Sequence, residues 1–161
     1  MARPEARTVG DFKIRPANPD DIAEIARLDH ACPEAAHWSR DSYSQSLGRK
    51  EFLCLVCERD GVITGFLLAR QCADEAEILN LAVSAQARHE GHGSALLRAA
   101  WDQFQQSRIA RIFLEARGSN AGAIAFYSKH GFTVTGKRAS YYRDPVEDAI
   151  CMTKILPVPP Q

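Results

Sequence analysis

Apolar and polar positions alternate along Phe12-Lys13-Ile14-Arg15, the two-residue period of a half-buried strand. Asn18-Pro19-Asp20-Asp21 then carries the marks of a helix start: a capping side chain, a proline in the first turn and acids at the positive end of the dipole. Ile22, Ile25, Ala26 and Leu28 give that helix its apolar stripe. Ser39 or Asp41 opens a second, shorter helix carrying Tyr43 and Leu47 and ending near Gly48. From Glu51 the period shortens again. Phe52 to Glu58 and Val62 to Arg70 flank Arg59-Asp60-Gly61 and predict a hairpin, since Asp-Gly between apolar runs is a strong turn signal. Glu77 to Val83 reads as a further strand. Leu96, Leu97, Ala100, Trp101 and Phe104 recur at helical spacing, so a helix from about Gly91 to Ser107 lays one face on the sheet. Arg111 to Ala116 predicts a strand, Asn120 to Lys129 a helix, and Phe132 to Lys137 and Ala149 to Ile155 two closing strands. Pro157, Pro159 and Pro160 end regular structure. Residues 1 to 10, polar with one proline, are expected to be flexible.

This order predicts an α/β fold with a mixed sheet, and 161 residues with 45% hydrophobic and 25% charged side chains fit one domain spanning 1 to 161. Twenty basic residues balance twenty acidic ones, so no global field favours nucleic acid or an anionic membrane as a partner. No apolar run approaches the roughly 20 residues of a membrane span, and the first residues lack the apolar core of a secretion signal. A cytoplasmic protein is expected. The five cysteines show no paired spacing and read as reduced thiols. Cys54 and Cys57 lie three apart on a strand, where side chains face opposite ways, and the histidines show no ligand pattern; no metal site is expected, and His89 and His92 read as solvated loop residues.

The chemistry concentrates in Arg88-His89-Glu90-Gly91-His92-Gly93-Ser94, between a strand and a helix. Glycines at 91 and 93 bare the backbone, and the helix adds its unpaired amides and the positive end of its dipole, which makes an anion cradle. A turn that merely uses two glycines is the plainer alternative. No lysine follows Gly93, which excludes a P-loop, and Gly91-His92-Gly93-Ser94-Ala95-Leu96 lacks the third glycine of a dinucleotide fingerprint.

The remaining pattern, R-x-x-G-x-G from Arg88 to Gly93, resembles the acetyl-CoA loop of the Gcn5-related N-acetyltransferases, and Tyr127-Ser128-Lys129-His130-Gly131-Phe132 matches that family's Y-x-x-x-G-F. The stretch Leu114 to Tyr127, with Tyr141-Tyr142 and Glu147-Asp148-Ala149-Ile150 before Met152, is similar to the RimI-type group, which acetylates the N-terminal alanine of a small-subunit ribosomal protein. His37-Trp38-Ser39 stands where that group carries Pro-Trp-Ser, and Cys32 to Ala36 before it looks lengthened. The resemblance implies a mostly antiparallel sheet of six or seven strands flanked by about four helices, splayed between the strand ending at Val83 and the strand Ile112 to Ala116. It also implies acetyl-CoA as co-substrate, with Leu81, Ala82, Val83, Arg88 to Ser94, Asn120 and Tyr127 at the cofactor and Trp38, Tyr141 and Tyr142 at the acceptor.

Transfer to an amine needs a base, a fixed donor for the developing oxyanion and a proton for the leaving thiolate. Alternation puts Glu115 opposite Ile112, Leu114 and Ala116, and apolar neighbours suit a general base acting directly or through water. A structural ion pair with Arg117 is equally open. Tyr127 is either the donor to the sulfur or a core aromatic beside Phe126, and Asn120 caps a helix, contacts pantetheine, or both. A backbone N–H near Val83 suits the oxyanion. The acceptor reads as a protein N-terminus, with a lysine side chain or small amine as the nearest rival and a non-catalytic acyl-CoA-binding module as the third reading.

Overall fold

The computed structural model describes residues 4–158 and 160. Among them are the strands β1 (Arg7–Val9), β2 (Phe12–Pro16), β3 (Phe52–Arg59), β4 (Val62–Cys72), β5 (Glu75–Val83), β6 (Arg111–Arg117), β7 (Thr133–Arg143) and β8 (Val146–Ile155). They form one sheet of eight strands in the order β1-β2-β3-β4-β5-β6-β8-β7. Neighbours run antiparallel except β5 and β6, which helix α3 (His92–Gln106) connects as a parallel crossover. Helices α1 (Ile22–Ala31) and α2 (Arg40–Leu47) pack on one face; α3 and α4 (Ala121–Lys129) pack on the other. The mixed α/β sheet is the predicted one, with one strand more.

The helix ends follow the side chains. Asn18 Oδ1 accepts from the Asp20 N–H at 2.9 Å, and Asp21 Oδ2 accepts from the Asn18 N–H at 2.8 Å, a reciprocal box that starts a 3-10 turn and then α1. Ser39, rather than Asp41, caps α2 by accepting from the Ser42 N–H at 3.2 Å. Asp60 and Gly61 both take positive φ, the tight hairpin turn that Asp-Gly predicts. Leu96, Leu97, Ala100 and Phe104 are fully buried in the core beneath α3, each large one stabilising by about 1.5–3 kcal/mol. Cys57 belongs to that core and Cys54 packs on the other, so the two thiols face opposite ways.

Two expectations need correction. Arg7, Thr8 and Val9 are not loose but pair with Ile14, Lys13 and Phe12, and Arg7 reaches Asp102 at 2.7 Å. Strand pairing uses backbone donors, so polar side chains do not prevent it. Residues 1–3 lie outside the described residues. The strand predicted to stop at Lys137 continues to Arg143 and takes Tyr141 and Tyr142 into β7.

One buried ion pair ties the first strands to α1. Arg15 holds both oxygens of Asp21, at 2.7 and 2.9 Å. Burial pushes the Asp21 carboxyl up, but Arg15 and the Asn18 N–H override it and leave it below the usual range. A depressed folded pKa gives stability that is present above the unfolded value and lost as pH falls through the folded one. Asp21→Asn is expected to cost about 3 kcal/mol at neutral pH, because it strands a mostly buried Arg15. In urea titrations the gap to wild type should close as pH falls below the ordinary aspartate pKa of about 3.9 and through the lower folded value.

The sheet opens at its centre. β5 and β6 pair only through Glu75↔Arg111, Ala76↔Ile112 and Glu77↔Phe113, whereas β6 pairs with β8 along its whole length. Opposite β4, Leu68 faces Asn80 and Ala69 faces Ile78, so Leu79 is an extra residue in β5. A bulge of this kind bends and twists its strand. From Ile78 onwards β5 leaves β6, giving the splay the sequence leads one to expect.

Candidate active site

Beyond Glu77 the side of β5 that faces β6 has no strand partner, so Leu81, Ala82 and Val83 border a gap in the sheet. Ser84 follows, its N–H donating to the Thr64 carbonyl at 2.8 Å, and a 3-10 turn, Ala85–Ala87, leads to the glycine segment. His89 is exposed with φ 64, and Gly91, with φ 86, is the N-cap of α3. Among the described residues no side chain caps this helix, which leaves its first amides to meet an anion through backbone alone.

The side chains of the segment are engaged within the protein. Arg88 turns back to the Val83 carbonyl at 3.4 Å and to Glu34 at 3.7 Å, and Glu90 pairs with Arg59 at 3.0 Å. His92 is not a solvated loop residue: it is buried, its Nδ1 2.7 Å from Thr64 Oγ1 and its ring tilted at 38° against Phe12, and burial lowers its pKa. Helical direction explains this, since the first turn of α3 points position 92 into the core. Gly93 serves packing, because a Cβ there would meet Phe126 Cζ at 3.2 Å. Ser94 Oγ lies 2.9 Å from His130 Nε2, tying α3 to the end of α4, where burial and then Arg98, Lys129 and Lys154 lower the His130 pKa.

Glu115 and Tyr127 stand on opposite faces of the sheet. Ile112, Leu114 and Ala116 are buried under α3 and α4, as the alternation predicts, and Glu115 points the other way. Its surroundings are charged rather than apolar. Glu115 Oε1 lies 2.9 Å from Arg138 Nε, whose guanidinium carbon is 5.5 Å from the Tyr141 ring centre, and the carboxylate's charge raises the pKa of Tyr141. Arg117 pairs instead with Glu147 at 3.1 Å and lies 4.3 Å from the Tyr142 ring centre. Burial and then the Glu115 charge raise the Tyr142 pKa as well. A register break between Arg138 and Tyr142 removes simple alternation there.

Tyr127 packs its ring against Phe126 and Phe132, and burial pushes its pKa well above the usual tyrosine value. Asn120 Oδ1 accepts from the Ala123 N–H at 3.1 Å and caps α4. Trp38 lies against Tyr43, ring centres 5.8 Å apart, in the loop between α1 and α2. Sequence reasoning missed Glu77, whose carboxyl is pushed up by burial and by Glu115, and also Arg138, Asp29 and Asn80. Asp29 continues the buried stripe of Ile22 and Ile25 at helical spacing, and Asn80 interrupts an apolar strand. A polar residue on a buried face was the available signal.

Residues 20–132 match the model of the Acetyltransferase (GNAT) family. The chain is 34% identical over 136 residues to the [ribosomal protein bS18]-alanine N-acetyltransferase of Escherichia coli K12, covering 83% of this chain and 87% of the relative. A putative enzyme of the same description from Bacillus subtilis is 31% identical over 140 residues, covering 86% and 92%. The crystal structure of the Escherichia coli ribosomal-protein-S18-alanine N-acetyltransferase superposes with a TM-score of 0.83 at 27% identity, covering 93% of this chain and 97% of that one. Matched over this length, and carrying an uncapped helix behind a strand that parts from its neighbour, the protein belongs to the GNAT family.

Proposed function

We propose that this enzyme acetylates the α-amine of a protein that begins with alanine, a small-subunit ribosomal protein of the bS18 kind, using acetyl-CoA. The observation that carries the reading is the placing of Glu115, beside Arg138 and the Tyr141 ring, on the face of the sheet opposite Tyr127, near the point where β5 and β6 part. A thioester threaded through that gap has the base on one side and the sulfur donor on the other. A cytoplasmic location goes with such an acceptor.

The chain fits the co-substrate on its own geometry: free amides open α3, and the β5 edge at Leu81 to Val83 lacks a strand partner. When bound, acetyl-CoA supplies an acyl carbon already activated towards an amine. Amides of α3 hold the pyrophosphate, and the backbone of Leu81 to Val83 holds the pantetheine arm. Asn120 keeps its amide NH₂ for a carbonyl of that arm while its oxygen caps α4. Glu115 takes the proton of the incoming ammonium, directly or through water, so that its nitrogen can form the new C–N bond. A backbone N–H near Val83 faces the developing oxyanion. As the C–S bond breaks, the Tyr127 hydroxyl donates a hydrogen bond to the sulfur, and the second proton shed by the acetylated nitrogen passes to the departing thiolate, which leaves as the free thiol. The raised pKa of Tyr127 makes it a hydrogen-bond donor that stays protonated wherever the amine is reactive.

An α-amine with pKa near 8 is partly neutral at pH 7, whereas a lysine near 10.4 is almost wholly charged. A modest base therefore suffices for the former, and Glu115 is the carboxylate placed to act as one. Initial rates across peptides beginning with alanine, serine, methionine or lysine, an N-blocked lysine peptide and a polyamine test this. The alanine peptide should lead the panel by about tenfold or more, the discrimination a close-fitting pocket gives. Preference for the polyamine or the blocked peptide would sink the reading, and no turnover of any would leave an acyl-CoA-binding module.

A further inference from the structure

Asp29, Tyr43 and Asn80 have no part in the steps above, yet they link the loop of Trp38 to the strand that borders the gap. Asp29 is fully buried on α1, and among the described residues no cation pairs with it. Its carboxylate accepts from the Tyr43 hydroxyl at 2.6 Å, the His37 N–H at 2.8 Å and the Trp38 N–H at 2.7 Å. The Tyr43 oxygen accepts from Asn80 Nδ2 at 2.9 Å, and Asn80 Oδ1 accepts from the Ala36 N–H at 3.3 Å.

Each of these choices costs stability that an apolar core would keep. A buried carboxylate without a cation is tolerated only because three donors satisfy it. His37 takes φ 57, a conformation that disfavours a side chain, and this turns two successive N–H groups onto one carboxylate. His37 Nε2 lies 2.9 Å from the Cys32 carbonyl and closes the loop on itself. At the far end Asn80 adjoins Leu79, the extra residue whose bulge turns β5 away from β6. Trp38 is thereby tied, through Asp29 and Tyr43, to the residue beside the bulge that opens the gap.

We propose that Asp29 is a positioning residue for the acceptor: it fixes Trp38 relative to the open edge of β5, and acceptor binding depends on it while acetyl-CoA binding does not. The inference rests on Trp38 lining the acceptor groove. Asp29→Asn keeps the shape but replaces one of the two acceptor oxygens by an NH₂, which then faces one or two of the three donors. It should raise the KM for an alanine-starting peptide about tenfold to a hundredfold, the loss expected when hydrogen bonds to a buried charge are removed. The KM for acetyl-CoA should stay within about twofold. Amides 36 to 38 should exchange with deuterium faster than in wild type while those of 81 to 83 do not change. Tyr43→Phe keeps the ring beneath Trp38, removes one donor and should move the acceptor KM the same way by about threefold, so the split remains measurable if Asp29→Asn does not fold. Equal rises in both KM values, or unchanged exchange at 36 to 38, would overturn the proposal. Should the wild type accept only the N-blocked lysine peptide, the reading of function falls, and the KM split measured on that peptide still decides the role of Asp29.

Discussion

Glu115→Gln is expected to lower kcat by about a hundredfold to a thousandfold, the range that general acid–base catalysis contributes. The KM for acetyl-CoA should shift by less than about twofold, because in the proposed mechanism the amides of α3 and the backbone of Leu81 to Val83, not this side chain, hold the co-substrate. A glutamine cannot take the ammonium proton, so the variant must wait for amine that is already neutral. Its deficit should therefore narrow as pH rises from about 6 to about 9, through the α-amine pKa near 8. A deficit unchanged across that range would mean that Glu115 serves only its ion pair with Arg138. The same substitution removes the charge that most raises the Tyr141 pKa, so the Tyr141 phenol should titrate lower in the variant. Global stability should change by no more than about 1 kcal/mol, since Arg138 is largely exposed.

Tyr127→Phe is the second large effect: kcat should fall by about tenfold to a hundredfold while the melting temperature stays within a few degrees. Nothing in the fold depends on the hydroxyl, which has no hydrogen-bond partner among the described residues, whereas the ring packs between Phe126 and Phe132. Tyr127→Ala removes the ring as well and should cost about 3–5 kcal/mol in urea unfolding. The two variants together separate a catalytic hydroxyl from a core aromatic. Full activity in the phenylalanine variant would leave Tyr127 with the packing role alone.

What the sequence made legible was whatever is written in local period and turn chemistry. The Asp60-Gly61 hairpin, the stripe of α3 and the facing of Glu115 each depend on residues a few positions apart. The β1 strand was not legible, because Arg7, Thr8 and Val9 earn their place through backbone pairing with Phe12 to Ile14 rather than through an apolar run. The continuation of β7 beyond Lys137 is similar: Arg138 to Arg143 lie mostly exposed at the sheet edge, where side chains carry little signal. At the site, the loop and the order of strands pointed to the cofactor, but the partners of its side chains did not follow. His92 faces the core because of where α3 begins, and Arg88 returns to Val83 because the loop folds back on the strand before it. The pairing of Glu115 with Arg138, the bulge at Leu79 and the chain from Asp29 to Asn80 join residues far apart in sequence. Such contacts depend on register, which no short motif encodes.

The central claim concerns which nitrogen receives the acetyl group. A single peptide with a free N-terminal alanine and an internal lysine, incubated with this enzyme and acetyl-CoA and fragmented in a tandem mass spectrometer, tests it directly. The acetyl mass is expected on the fragments that retain the first residue, with the lysine unmodified; acetyl carried by the lysine, with the N-terminus free, would contradict the account.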